Sequence, residues 1–493
     1  MLRRTFQSLQ VRNYRLYASG QLVKLVGMWM QFITQDWLVL HLSGDSGTAL
    51  GIVTALQFTP MLLLTLYGGK LADRHDKRKL LMVANGIWAV LAMGLALLVA
   101  TGAVQLWHVF LFAVALGLAT AVEAPARQAF VSELVGTTLL PNALSLSAAT
   151  FNSARILGPA LAGVGIAAFG TGPVFLVSAL CALSPLVGLY RIRPAELHRA
   201  DLLPRGERAD PRIRDGLRYV WHRGDLVLPL AMVMVIGAMG FNFGITLAVL
   251  AKTTFHTGAA SFGLFTTALA AGSLVGALAS SGRRARPSVY VVLGAALVFS
   301  LLEIVVGLVP TFWLVVALLV PTGLFMIYFA QAANQRVQLG SEAAYRGRVM
   351  ALYMLVFLGT TPLGAPLIGW LAEAVSAQAS IWIGGVISLV TALAGLVVQL
   401  RSSGDRIGVR VRPSPRIYVA AAGAGPCRTG VVGCAHGEHK VSGVPRRRLR
   451  AAARGGGGLP RPGRAELSRV DGGRPRPARG RGLPAQDGGY APR

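Results

Sequence analysis

Twelve apolar runs, each about twenty residues long and set apart by short charged connections, limit this chain more than any other feature. They fall at 16–40, 48–69, 80–101, 104–122, 143–168, 172–190, 226–250, 261–281, 288–309, 311–331, 349–372 and 379–400. A helix of that length crosses the ~30 Å hydrocarbon core of a bilayer. Inside a bilayer every peptide group needs a partner within the protein, so a crossing segment is either a helix or a strand of a closed barrel. Barrel strands alternate apolar and polar residues, and these runs do not. The prediction is an all-α polytopic membrane protein with twelve transmembrane helices. A mean hydropathy of +0.56 with 14% charged residues agrees, and excludes a soluble globular domain.

Charge in the connections orients the runs. With the N-terminus placed in the cytoplasm, the arm and the even-numbered connections carry 25 Lys and Arg, among them Arg3, Arg4, Arg12, Arg15 and nine arginines from Arg191 to Arg223. The odd-numbered connections carry Lys252 alone. The positive-inside rule then puts both termini in the cytoplasm and the chain, multi-pass, in the cell's inner (plasma) membrane. Met1 to Arg15 is short, basic and without a small-residue cleavage site, so the first span reads as uncleaved.

The same reading divides the chain into a six-helix bundle at 1–190, a cytoplasmic loop at 191–225, a second six-helix bundle at 226–400 and a tail at 401–493. The loop mixes nine arginines with six acids and holds an amphipathic piece, Arg212 to Trp221. It reads as a tether lying along the inner surface. The tail holds 20 Lys and Arg against 5 acids, with 19 Gly and 10 Pro and no periodic apolar face, so it is expected to be disordered and basic. Its alternation of Arg, Gly, Pro and Ala is also what a GC-rich gene yields when read out of frame. More than half of the net charge of +28 lies there, and aromatics to stack on bases are nearly absent, so nucleic acid is not an expected partner.

Residues about 206 positions apart repeat. Gly158-Pro159-Ala160-Leu161-Ala162-Gly163 overlays Gly364-Ala365-Pro366-Leu367-Ile368-Gly369, and Asn142 to Leu146 overlays Arg348 to Leu352. The two bundles are expected to share one plan.

Ionisable groups within a span cost roughly 2.5–3.5 kcal/mol each on insertion scales, which makes each a functional candidate. Trp29, Phe32 and Asp36 lie at i, i+3 and i+7, putting two rings and a carboxylate on one helix face. Such a face suits a lipophilic solute or an exchanged proton; Asp36 could equally reach the outer headgroups. Arg155, one turn after Asn152, cannot shed its charge and needs an acid or an anionic substrate. Glu123 and Arg127, four apart, can pair, with Pro125 expected to mark the end of the fourth helix. Lys24, near the inner third of the first helix, is expected to snorkel to the surface.

Gly69-Lys70-Leu71-Ala72-Asp73-Arg74-His75-Asp76-Lys77-Arg78-Lys79-Leu80 joins the second and third spans. Gly69 is expected to allow close approach, Asp73 to sit where one helix ends and the next begins, and Arg74, Lys77, Arg78 and Lys79 to pair with it or with headgroups. The order Gly-x-x-x-Asp-Arg-x-x-(Lys/Arg)-(Lys/Arg) resembles the loop signature of the major facilitator superfamily of transporters, with Asp76 where that signature usually has glycine. In the second half, Gly276 followed by Arg283, Arg284 and Arg286 is its worn counterpart, with Ser280 at the acid's place. Gly158-Pro159-x-x-x-Gly163 resembles the fifth-helix signature of the antiporter branch, although close helix packing through small residues accounts for Gly158 and Gly163 without chemistry. Glu123 to Phe130, Gly20-Gln21-Leu22, Trp29-Met30-Gln31, Ala55 to Phe58 and Arg346-Gly347-Arg348-Val349-Met350 resemble the branch holding bacterial siderophore exporters and related efflux permeases. The likeness covers about 10–400, and the arginine motif usual inside the fourth helix is missing.

The resemblance implies two parallel six-helix bundles in the major facilitator fold, with substrate held between them at mid-bilayer depth and alternating access by rocking. It also puts the ninth helix, and so Glu303, toward lipid. The function it implies is a proton-coupled exporter of a small lipophilic molecule, drug or siderophore, with Asp73 and Arg74 latching the inner gate. A proton-coupled importer is the alternative on the same fold, and a non-transporting receptor or scaffold the alternative from another class. Expected partners are a small-molecule substrate, protons and the lipid bilayer, with the chain a monomer. No Gly-x-x-x-x-Gly-Lys-Ser/Thr occurs and no nucleophile stands beside a base, so neither an ATP motor nor an enzyme is expected. Cys181, Cys427 and Cys434 form no disulfide framework, and Cys427, Cys434, His436 and His439 lack the spacing of a zinc finger. No metal or cofactor is expected.

Overall fold

The computed structural model describes residues 6–198, 213–283, 285–342, 345–403, 406–410 and 416–420. The helices are α1 (Arg12–Leu42), α2 (Gly47–Arg74), α3 (Lys77–Ala100), α4 (Leu106–Phe169), α5 (Thr171–Arg191), α6 (Ile213–Trp221), α7 (Gly224–Gly240), α8 (Phe243–Val249), α9 (Ala259–Ser281), α10 (Val289–Leu308), α11 (Phe312–Gly340), α12 (Arg346–Ala374) and α13 (Ala377–Ser403). Beyond α13, strands β1 (Arg406–Arg410) and β2 (Arg416–Ala420) pair antiparallel, with Ile407 opposite Val419. The other residues of the 401–493 tail, Cys427, Cys434, His436 and His439 among them, lie outside the described residues, as do Arg3, Arg4, Arg284 and residues 199–212 of the expected tether.

Ten of the described helical segments are long and apolar enough to cross a membrane. One of them, α4, is two spans joined by a bend at Gly136, whose φ of +66° is a left-handed conformation that glycine adopts without a Cβ clash. The twelfth crossing is α1, whose hydropathy is diluted by Arg12, Arg15, Lys24 and Asp36. Capping side chains start several helices: Ser46 Oγ accepts from Ala49 N at 3.1 Å before α2, and Asp76 Oδ1 from Lys79 N at 3.1 Å before α3.

Two departures from the sequence expectations bear on the site. The fourth span does not end at Pro125; it runs on to Gly136, and Pro125 removes only the amide that would have bonded the Ala121 carbonyl. The expected span 226–250 is broken: α7 stops at Gly240, Phe241 and Asn242 are non-helical, and α8 leads into a wide π-type turn, Leu250–Thr254. Asn242 Nδ2 donates to the Ala238 carbonyl at 2.6 Å, standing in for a helical amide at the break.

Glycines bring the helices together, and they do so twice over. In the first half, a Cβ at Gly117 in α4 would overlap the Gln57 carbonyl of α2, and one at Gly68 in α2 would overlap the Ala121 carbonyl of α4. In the second half, Gly323 of α11 meets the Leu269 carbonyl of α9 in the same way, and Gly276 of α9 meets that of Leu324. The repeat read in the sequence has this packing basis. Gly158 packs on Val26, Trp29 and Met30 of α1, and Gly364 packs on Ala238 of α7. Five residues on in each copy, Gly163 meets Ala259, Ala260 and Gly263 of α9, and Gly369 meets Gly47 and Gly51 of α2. The first glycine of each copy therefore closes its own bundle, and the second joins it to the other bundle. Small residues are needed at both because the backbones approach within van der Waals contact.

Candidate functional site

The charged connection between α2 and α3 is a short turn whose cations act on their own bundle. Lys77 Nζ donates to Glu133 Oε1 of α4 at 2.7 Å, and Arg78 donates to the Leu189 and Tyr190 carbonyls at the end of α5 at 2.7 and 2.9 Å. The start of α3 is thus tied to two neighbours. Asp73 and Arg74 are exposed in the last turn of α2, and the residue between the helices that caps is Asp76, not Asp73. Close approach belongs to Gly68: a Cβ at Gly69 would meet nothing, whereas Gly68 lies against the carbonyl that Pro125 leaves without its helical donor.

The counterpart in the second bundle is built on Asp225. Its carboxylate accepts from Arg223 Nε and Nη2 at 2.9 and 3.1 Å and from Arg286 Nη2 at 2.8 Å. The bidentate bond pushes the Arg223 guanidinium further above its ordinary value, so it stays a cation. Of the worn motif, Gly276 serves packing and Arg286 this cluster; Arg336 Nη1 donates beside it to the Pro287 carbonyl at 2.8 Å.

Within the first bundle, Lys24 does not snorkel. Only 4% exposed, it donates to Glu123 Oε1 at 2.9 Å, and Arg127 Nε approaches the same oxygen at 3.2 Å. Burial makes this triad necessary, since a lone charge there would cost several kcal/mol. Its members lie on α1 and α4, two helices that line the seam between the bundles.

Toward mid-membrane depth, the structure brings Trp29, Phe32 and Arg155 together. The Trp29 and Phe32 rings stand edge to face at 5.6 Å, and the Arg155 guanidinium carbon lies 5.8 Å from the Trp29 ring centroid. Among the described residues Arg155 makes no ion pair, and the Trp29 ring is the neighbour that stabilises its charge. Asn152 does not join this cluster: its amide donates to the Ala148 carbonyl of its own helix at 2.8 Å. Phe151, next to it, takes the place instead, 5.9 Å from Trp29. Phe357, 206 positions after Phe151, faces Phe241 at the helix break at 6.4 Å, so the repeat supplies a ring from each bundle.

Asp36 lies farther along the same face of α1. Among the described residues it makes no hydrogen bond or ion pair, and its Oδ2 is 3.9 Å from where a Cβ of Gly244 in α8 would be. An acid of one bundle therefore faces the broken helix of the other. Glu303 corrects a second expectation. It does not face lipid but is 2% exposed inside the second bundle, with Gly240 of α7 and Gly384 of α13 against its carboxylate.

Contacts between bundles concentrate at the end away from the basic connections. Glu373 Oε2 of α12 accepts from Ser46 Oγ at 2.6 Å and Thr48 N at 3.0 Å, Lys252 pairs with Asp45 and lies 5.5 Å over the Trp37 ring, and the Gly163–Gly263 and Gly369–Gly47 junctions lie below.

Two similar bundles joined along α2–α12 and α4–α9, with aromatic and charged side chains on the seam, define a membrane transporter of the major facilitator class. Residues 4–421 match the family described as transmembrane secretion effectors, and the chain belongs to it. Among relatives, the multidrug efflux pump Tap of Mycobacterium tuberculosis is 24% identical over 371 residues, covering 73% of this chain and 87% of Tap. The enterobactin exporter EntS of Citrobacter koseri is 25% identical over 68% of this chain and 79% of its own. The staphyloferrin A transporter of Staphylococcus aureus is 26% identical over 54% of this chain, a match spanning 66% of that protein. Among solved structures, the nucleoside transporter NupG superposes with a TM-score of 0.64 at 12% identity, covering 78% of this chain and 99% of NupG. An inward-facing, occupied bacterial homologue of the lysosomal transporter Spinster superposes at 0.60 with 14% identity, covering 79% and 97%. These two carry the fold alone.

Proposed function

We propose that this transporter is a proton-coupled exporter of small lipophilic molecules, drugs or siderophores, working by alternating access as a monomer in the inner membrane with its basic connections in the cytoplasm. The observation that carries the reading is Asp36, a carboxyl on the seam with no partner among the described residues, facing Gly244 of the opposite bundle. A carboxyl so placed gains or loses stability as the bundles rock, because rocking changes its exposure to water. With the basic connections inside, the junctions at Glu373, Lys252 and the paired glycines make this an inward-facing arrangement. Trp29, Phe32, Phe151 and Phe357 offer rings to a lipophilic solute, and Arg155 offers a cation to one bearing an acidic group. The relatives named for drug and siderophore efflux support that range. Glu123, paired with Lys24, and the turn around Asp73 and Arg74 would hold the inner half of the path, Asp73 as part of the latch.

Cells expressing the protein are expected to expel ethidium or enterobactin against a gradient, with a protonophore collapsing the efflux and Asp36→Asn reducing it at unchanged membrane abundance. Uptake in place of efflux would favour the importer, and gradient-driven transport that ignores the protonophore would remove the proton. Asp73→Asn is expected to slow transport without preventing insertion; full activity would remove the latch.

A further inference from the structure

The second bundle contains a carboxyl that neither the seam nor its packing explains. Glu303 sits in α10 one turn after Phe299, and a Cβ at Gly240 would come within 2.9 Å of both its Oε2 and the Phe299 ring and within 3.1 Å of Ser388 Oγ. A Cβ at Gly384 would lie 3.5 Å from Oε1. Two glycines, on α7 and α13, therefore open the slot the carboxyl fills. Among the described residues, Glu303 Oε2 and Ser388 Oγ have no hydrogen-bond partner beyond each other.

Among the described residues no cation lies against the carboxyl. The helices packed on α10 carry Asp225 in the first turn of α7, Arg336 bonded to Pro287 near the end of α11, and Arg401 in the last turn of α13. Asp225 and Arg401 are each roughly 20 Å along their helices from the residues that touch Glu303, by the rise per residue. Lys252, past α8, is committed to Asp45 and Trp37. An anionic carboxylate in this slot would stand uncompensated among Phe241, Phe243 and Phe299, an arrangement costing several kcal/mol.

Gly240 is also the last residue before the break in the seventh span. Four residues on, Gly244 faces Asp36. The non-helical pair Phe241 and Asn242 thus lies between an acid of the first bundle and an acid buried in the second. We propose that Glu303 is a second proton-binding site, belonging to the C-terminal bundle, that loads and unloads through the α7–α8 break. This rests on the proton-coupled reading above and extends it. In the seam-closed arrangement Oε2 carries the proton beside Ser388. When the bundles rock and the break opens, the O–H bond breaks, the proton passes to water entering at Asn242, and the carboxylate is stable only while that water is present.

The test uses the full chain, wild type against Glu303→Gln, with Glu303→Asp as the variant that keeps a titratable group. A substrate-independent readout comes first. Infrared difference spectra of wild type minus Glu303→Gln are expected to show a carboxylic-acid C=O band at neutral pH, and carboxylate bands there would overturn the proposal. In proteoliposomes, Glu303→Gln is expected to lower proton-gradient-driven ethidium transport about tenfold and flatten its pH profile, while gradient-free ethidium exchange falls less than about threefold. Glu303→Asp should keep a pH-dependent drive. Equal loss of drive and exchange at normal insertion, unaltered drive, or drive that follows sodium instead would each overturn the site. If wild-type drive survives a protonophore, the proton-coupled reading fails as a whole; if it collapses while Glu303→Gln behaves as wild type, Glu303 alone is refuted.

Discussion

Lys24 Nζ lies 2.9 Å from Glu123 Oε1, joining α1 to α4 deep in the first bundle where both side chains are almost wholly buried. Removing Glu123 leaves the buried Lys24 ammonium without compensation, which costs roughly 3–5 kcal/mol, whereas removing Lys24 leaves Glu123 still paired with Arg127 and removing both leaves Arg127 alone. Glu123→Gln is therefore expected to lower the thermal midpoint in detergent sharply, Lys24→Met to lower it less, and the double variant to recover at least half of the Glu123→Gln loss. Arg127 keeps the recovery partial, because it loses Glu123 but remains near the surface.

How much of this was readable beforehand depends on what kind of information a linear pattern holds. Hydropathy reports depth, so the twelve crossings were legible, and the offset of about 206 residues located Gly158, Gly163, Gly364 and Gly369 because steric need preserves glycine in both copies. Rotation about a helix axis is not contained in hydropathy. Lys24 and Glu303 therefore looked like lipid-side or snorkelling groups, although both point inward. The same offset carries Phe151 onto Phe357, a signal that would have found the second ring. The break after Gly240 had no such signal, since Phe241 and Asn242 interrupt an apolar run without a proline or a charge. Gly68 and Gly69 are adjacent, and only the position of the Ala121 carbonyl separates their roles.

That separation is testable. Gly68→Ala would force a Cβ into the Ala121 carbonyl and is expected to destabilise the α2–α4 contact by roughly 1–3 kcal/mol. Gly69→Ala meets open space in a helix and is expected to be neutral or to stabilise by up to about 1 kcal/mol. Paired thermal melts of the two variants in one detergent decide it.

Arg155 above Trp29 predicts a dependence on the charge of the solute. Arg155→Gln removes the cation of the ring cluster, while Trp29→Leu removes the face that stabilises it. Each is expected to weaken an anionic solute by roughly 2- to 30-fold, matching about 0.5–2 kcal/mol, with lipophilic cations affected less by Arg155→Gln. Competition of ethidium efflux by an acidic and by a neutral dye measures the difference.

The paired seam glycines predict a conformational shift with no change in chemistry. Gly369 of α12 lies against Gly47 and Gly51 of α2, and Gly163 of α4 lies against Ala259 and Gly263 of α9, so a side chain at either position must push the bundles apart at the end away from the basic connections. Overpacking of this kind costs roughly 1–3 kcal/mol, all charged to the seam-closed arrangement, because the rocked arrangement separates these backbones. Gly369→Val is therefore expected to raise the population open at that end by about tenfold. A single cysteine at Ser46, in a chain with Cys181→Ala and the two tail cysteines replaced, reports the opening through its rate of alkylation by an impermeant maleimide. Gly94→Val, where a Cβ meets nothing within 4 Å, is the matched control and should leave the rate unaltered. An equal rate in both variants would mean that the glycine junctions do not part during the cycle.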